Sequence, residues 1–260
     1  MFIDTHAHLD ADRFASDRDQ VIARAREAGV QRIITCGSDL ASSRASLALH
    51  RQYEGVLTTV GVHPHAASTI CPQNAVDAAA LAELAELAER PGVVAIGEIG
   101  LDYHYDFSPR EAQREALSAQ LRLAVELDLP VVLHCREADD DLIARVDRAP
   151  RNLRGVLHCF MGSTRLACWA LDRGLYLGIA GPITFARMTA LVEAVQAAPL
   201  ERLLIETDCP FLAPHPMRGR RNEPAFVVHV AERLAQVQGL SLEALAAATT
   251  ANARELFHVD

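Results

Sequence analysis

Eight short runs of apolar and β-branched residues punctuate the chain, and most give way to a stretch with helical periodicity. The runs are Phe2–His6, Gln31–Cys36, Val56–Gly61, Val93–Glu98, Pro130–His134, Gly155–His158, Leu175–Ala180 and Arg202–Asp208. Their starts lie about 29 residues apart on average, the length of one strand–helix unit. Strands apolar on both faces belong in a parallel sheet covered by helices. Eight such units within 260 residues predict an α/β fold, a (β/α)8 TIM barrel. An open doubly wound sheet is the competing arrangement.

Between the runs, Ala75–Arg90, Arg187–Ala198, Pro224–Gln238 and Ser241–Phe257 repeat apolar residues at three- and four-residue intervals, as helices do. Ser108-Pro109-Arg110-Glu111 reads as a capping box, with Ser at N-cap, Pro at N1 and Glu at N3. No Pro/Gly/Ser-rich linker or charge block interrupts the pattern, so the reading is a single domain over residues 1–260. The opening MFIDTHAHLD has no basic lead before an apolar stretch, and the six Cys form no CxxC pair. These features predict a cytoplasmic protein with reduced thiols. No uncharged apolar run reaches the ~20 residues of a membrane span.

The polar residues fall at one end of the strands. His6 and His8 lie two apart in Asp4-Thr5-His6-Ala7-His8 and project to the same side of an extended chain, a pairing that suits a divalent transition metal. Glu98, His134, His158 and the pair Glu206 and Asp208 close four further runs. An ionisable group after a run such as VVAI or RLLI is buried unless the strand opens on a site, and buried charges need partners. Barrel enzymes place catalysis at this end, so a metal site explains the set better than hydrogen-bonded rim residues do. Parity directs Cys135 and Cys159 away from their histidine neighbours, toward the outer helices.

Two other clusters are open to two readings. His63 and His65, in Val62-His63-Pro64-His65, are either solvated loop imidazoles or contacts to phosphate or a further metal. Arg218, Arg220 and Arg221 form either a solvated charge run or an anion-binding rim. Net charge is −9, which argues against broad electrostatic coating of duplex nucleic acid. All 25 basic residues are Arg, which excludes Schiff-base lysine, the P-loop lysine and a metal bridge made from modified lysine.

The segments DTHAHLD, GVHPH, GEIGLDYHYDFSPREAQ, PVVLHCRE, HCFMGS, ETDCPFLAP and RGRRNEPAFV, in this order, resemble the TatD family of metal-dependent deoxyribonucleases within the amidohydrolase-like barrels. Met161 departs from the HCFSGS such proteins more often carry and removes a hydroxyl, while His158 is retained. The resemblance implies that His6, His8 and Asp208 hold one divalent ion, that His134 and His158 hold a second, and that Glu98 bridges them. It implies 3′→5′ trimming of single-stranded DNA or another nucleic-acid substrate, while the ligand types leave the choice among Zn²⁺, Mn²⁺ and Mg²⁺ open. Glu206, His63 and His65 match positions associated with a third metal or the scissile phosphate. On this reading Asp208 orients or deprotonates the attacking water. The rival readings are a hydrolase of the same scaffold acting on a non-phosphate ester, lactone or amide, and a catalytically silent metal-binding protein. Oligomeric state is left open, and a monomer is compatible with the sequence.

Overall fold

The computed structural model describes residues 1–259. Its eight strands are β1 (Phe2–Ala7), β2 (Val30–Cys36), β3 (Val56–Val60), β4 (Val93–Asp102), β5 (Val131–Arg136), β6 (Gly155–Leu157), β7 (Tyr176–Ile179) and β8 (Leu203–Ile205). They form one sheet in strict chain order, with parallel pairings. The helices are α1 (Arg18–Glu27), α2 (Leu40–Gln52), α3 (Ala78–Ala88), α4 (Arg110–Glu126), α5 (Asp139–Val146), α6 (Thr164–Asp172), α7 (Thr189–Ala197), α8 (Val227–Gln238) and α9 (Leu242–Phe257). One helix follows each of the first seven strands and two follow the last. Parallel strands in sequential order, each followed by a helix, are the (β/α)8 barrel.

The chain divides into two compact units, Met1–Thr35, Glu54–Val56 and His158–Asp260 in the first and Cys36–Tyr53 and Leu57–Leu157 in the second. In the first unit the ends of β1 and β8 are tied together. Ala7 bridges Cys209, the Asp208 N–H donates to the His6 carbonyl at 2.9 Å, and the His8 N–H donates to the Cys209 carbonyl at 2.8 Å. Leu177 of β7, Leu204 of β8 and Val230 and Leu234 of α8 are fully buried in this unit. Each such side chain contributes about 1.5–3 kcal/mol of burial, before conformational entropy is set against it.

In the second unit, two buried glutamines of α4 hold the backbone at strand ends. Gln113 accepts from the Asp102 N–H at 2.9 Å and donates to the Asp102 carbonyl at 3.1 Å. Gln120 does the same for Val62, at 2.7 and 3.0 Å. A buried amide that satisfies both backbone groups of one residue fixes that residue in place. Gly100 pairs with His134, and a Cβ at Gly100 would stand 2.0 Å from the His134 carbonyl oxygen. Its φ of +150° is also a conformation that side chains disfavour.

Three local expectations change. Strand β4 runs four residues past Glu98, to Asp102. Strand β8 stops at Ile205, so Glu206 and Asp208 lie on irregular backbone, with Asp208 at φ +58°. The capping box before α4 does not form, because the Ser108 hydroxyl is engaged elsewhere. It donates to the His65 carbonyl at 2.9 Å and accepts from the Ser68 N–H at 3.1 Å. Pro109 occupies the N-cap position without a side-chain bond.

Candidate metal centre

In the first unit, His6 and His8 converge as their spacing predicts, with Nε2 atoms 3.2 Å apart. Asp208 Oδ1 lies 3.5 Å from Nε2 of His8 and 3.9 Å from Nε2 of His6. Burial alone would raise the Asp208 carboxyl, but the His8 contact and the nearby His158 and His6 outweigh it and hold the group below the ordinary carboxylate range. His158 stacks on His6 with ring centroids 3.7 Å apart. Glu206 Oε1 lies 3.1 Å from His158 Nδ1 and accepts the Cys159 N–H at 2.6 Å.

Asp4 braces this group from beneath. It accepts from the Thr207 N–H at 2.8 Å and from the Thr207 hydroxyl at 2.6 Å, which fixes the residue between Glu206 and Asp208. Complete burial pushes the Asp4 carboxyl up to about 8, against the lowering effect of the Thr207 bonds.

In the second unit, Glu98 Oε1 lies 2.8 Å from His134 Nδ1 and 3.4 Å from His63 Nε2. Burial pushes the His63 imidazole down to about 4, only partly opposed by Glu98, which leaves it neutral near pH 7 and able to offer a lone pair. Asp102 is inaccessible to solvent, and its Oδ2 faces His65 Nε2 at 2.9 Å and His134 Nε2 at 3.3 Å. Burial would raise the Asp102 carboxyl. Hydrogen bonds from His134, from the Tyr105 N–H and from His65 overcome that and lower it.

Among the described residues, ligand-capable atoms therefore gather in three groups, each within 4.8 Å: His6, His8 and Asp208; His6, His158 and Glu206; and His63, Glu98 and His134. The donor chemistry fits a divalent cation, since imidazole with carboxylate suits Zn²⁺ or Mn²⁺. A specific observation supports the fit. Glu206 Oε2 is buried and has no hydrogen-bond partner among the described residues, a cost that a cation would relieve. His63, placed by its sequence in a loop, lies among the carboxylate and imidazole of the second unit.

The arginine loop behaves differently. Arg221 is committed to Asp17, with guanidinium nitrogens 2.7 Å from both carboxylate oxygens, and it also donates to the Arg13 carbonyl at 2.5 Å. Arg218 stacks over Phe185 at 4.0 Å. Arg220 is exposed. Asp102, absent from the residues singled out by sequence, carries a signal of its own: it shares strand parity with Glu98 once β4 continues to residue 102.

Histidine and carboxylate donors gathered where the strands of a (β/α)8 barrel end define a metal-dependent hydrolase. Residues 3–258 match the family model described as TatD related DNase, and the chain belongs to that family of hydrolases of ester bonds. It is 39% identical to the uncharacterized metal-dependent hydrolase YabD of Bacillus subtilis (strain 168), over 100% of both chains. It is 42% identical to the 3′-5′ ssDNA/RNA exonuclease TatD of Salmonella typhimurium, over 98% of both. Among solved structures it is similar to YJJV, a TatD homologue from Escherichia coli K12, with a TM-score of 0.90, 33% identity, and coverage of 100% of this chain and 98% of that one. No helix among the described residues is long and apolar enough to cross a membrane.

Proposed function

We propose that this protein is a metal-dependent exonuclease that removes nucleotides from the 3′ end of single-stranded nucleic acid, with DNA as the first substrate to test. The observation that carries the reading is the Asp208 carboxylate, held ionised against two converging imidazoles on the irregular backbone that follows β8. The Salmonella relative, a 3′-5′ ssDNA/RNA exonuclease by name, supports the substrate class.

In this reading His6, His8 and Asp208 hold one divalent ion, and Glu98 and His134, with His63 beside them, hold a second. His158 and Glu206 supply further donors to the first unit's set. Bound there, divalent ions supply positive charge to the phosphoryl oxygens and lower the pKa of an attacking water.

The chain's own residues do the rest. The Asp208 carboxylate orients the water and takes its proton as the new P–O bond forms. The P–O3′ bond breaks, the departing 3′ oxygen takes a proton, and a 5′-mononucleotide leaves. Glu98 fixes the orientation of His134 and His63, so the imidazole lone pairs do not need to reorganise during the reaction. Arg218 and Arg220 remain the candidates for phosphate contacts, because Arg221 is already neutralised by Asp17.

The test is 5′-labelled single-stranded DNA incubated with protein in Mg²⁺, Mn²⁺ or Zn²⁺, with Asp208→Asn alongside. A ladder shortening one nucleotide at a time, absent in the variant, is expected. No shortening with any metal, together with turnover of a non-phosphate ester or lactone, would move the substrate to that class.

A further inference from the structure

Three aromatic side chains are exposed among the described residues, Tyr105, Phe107 and Phe211. Each touches a histidine of the candidate site. Phe107 and Tyr105 lie 4.8 and 5.5 Å from the His65 ring, and Phe211 lies 6.1 Å from His8. Leaving a Phe ring in water forgoes the burial that places the other phenylalanines in or partly in the interior. Phe107, at 68% exposure, is the most open of the three. A packing role would cover it.

Tyr105 and Phe107 are also arranged. Their rings stack nearly parallel, with centroids 5.3 Å apart and an interplanar angle of 14°. Arg136, at the end of β5, holds its guanidinium 4.7 Å over the Tyr105 ring. The loop that carries the pair is clamped on both sides. Asp102 Oδ1 accepts the His104 and Tyr105 N–H groups, each at 3.0 Å, and Arg110 binds Asp106 and the Tyr103 carbonyl. The flat surface is therefore preorganised. His65 joins it to the metal-capable group of the second unit, through Asp102 and by a 4.3 Å ring contact with His63.

We infer that the Tyr105–Phe107 pair is a stacking platform for an unpaired nucleobase near the end of the bound strand, with Arg136 adding a cation to the same surface. The inference rests on the single-stranded nucleic-acid reading above. An exposed aromatic face that adjoins an anion-handling site suits a base whose own phosphate is held by that site, and every base offers such a face.

The test compares two 5′-labelled oligonucleotides, one with ordinary bases and one with abasic residues at the last two 3′ positions. The metal-loaded wild type is expected to prefer the base-bearing strand by about 10-fold or more in kcat/KM. In Y105A/F107A the preference falls toward one, whereas Phe107→Trp retains it. A 2-aminopurine near the 3′ end, bound to the Asp208→Asn protein, is expected to be quenched, and the quenching is lost in Phe107→Ala. Equal cleavage of both strands by the wild type, or an undiminished preference in the double variant, would overturn the platform while leaving the exonuclease reading intact. Failure of the wild type to cut either strand would overturn the exonuclease reading, and the platform with it.

Discussion

Nε2 of His134 lies 3.3 Å from the buried carboxylate of Asp102, while Nδ1 of the same ring faces Glu98 at 2.8 Å. The imidazole is thus held by a carboxylate on each nitrogen, and Asp102 also fixes His65 at 2.9 Å. Partners of this kind set the tautomer and orientation of a metal ligand and typically govern affinity by about 10–100-fold. Asp102→Asn is accordingly expected to weaken divalent-metal binding by about 10-fold or more, read by competition with a chromophoric chelator. Its circular dichroism should remain that of the wild type. Unchanged affinity would remove Asp102 from the site.

Replacing Asp208 removes the carboxylate that faces His6 and His8. Asp208→Asn is expected to lower kcat/KM on single-stranded DNA by about 10²–10⁴-fold, the usual scale of a positioned proton acceptor, with little change in fold. Steady-state kinetics with a melting curve on the same preparation separates this from simple unfolding.

Metal removal should register in stability as well as in activity. A divalent ion that binds only the folded chain stabilises it by about 2.7 kcal/mol when present at a hundredfold excess over Kd. For a chain of this length that corresponds to a rise in Tm of roughly 5–10 °C. Scanning calorimetry of chelator-treated protein, before and after adding back Mn²⁺ or Zn²⁺, checks it. Asp208→Asn and Glu98→Ala should each show a smaller rise, and identical curves in all three proteins would deny the clusters any ion.

Gly100 offers a test of the scaffold without replacing a ligand side chain. A methyl group there would stand 2.0 Å from the His134 carbonyl oxygen, on a backbone at φ +150°. Gly100→Ala is expected to cost about 1–3 kcal/mol in denaturant unfolding. It should also weaken metal binding, because β4 and β5 carry Glu98 and His134. A neutral substitution would show that the two strands separate there without penalty.

Much of this was legible in the sequence. The strand–helix alternation follows from apolar periodicity, which a chain length of 260 turns into a barrel. His6 and His8 were legible because two-residue spacing is a property of extended backbone itself. Other features were hidden for equally physical reasons. Glu206 and Asp208 were placed by strand parity, yet β8 ends at Ile205, and the position of Asp208 depends on its left-handed backbone and on Asp4 gripping Thr207. Ser108 looked like a helix cap because its neighbours suit one, but the carbonyl that captured its hydroxyl belongs to His65, distant in sequence. The three arginines near residue 220 looked equivalent, and only the position of Asp17 shows that Arg221 is already neutralised.

The most direct measurement is the anomalous difference density of crystals grown with Mn²⁺. A two-ion site predicts one peak within ligand distance of His6, His8 and Asp208, and another within ligand distance of Glu98 and His134. Density at neither place in metal-saturated, catalytically active crystals would contradict it.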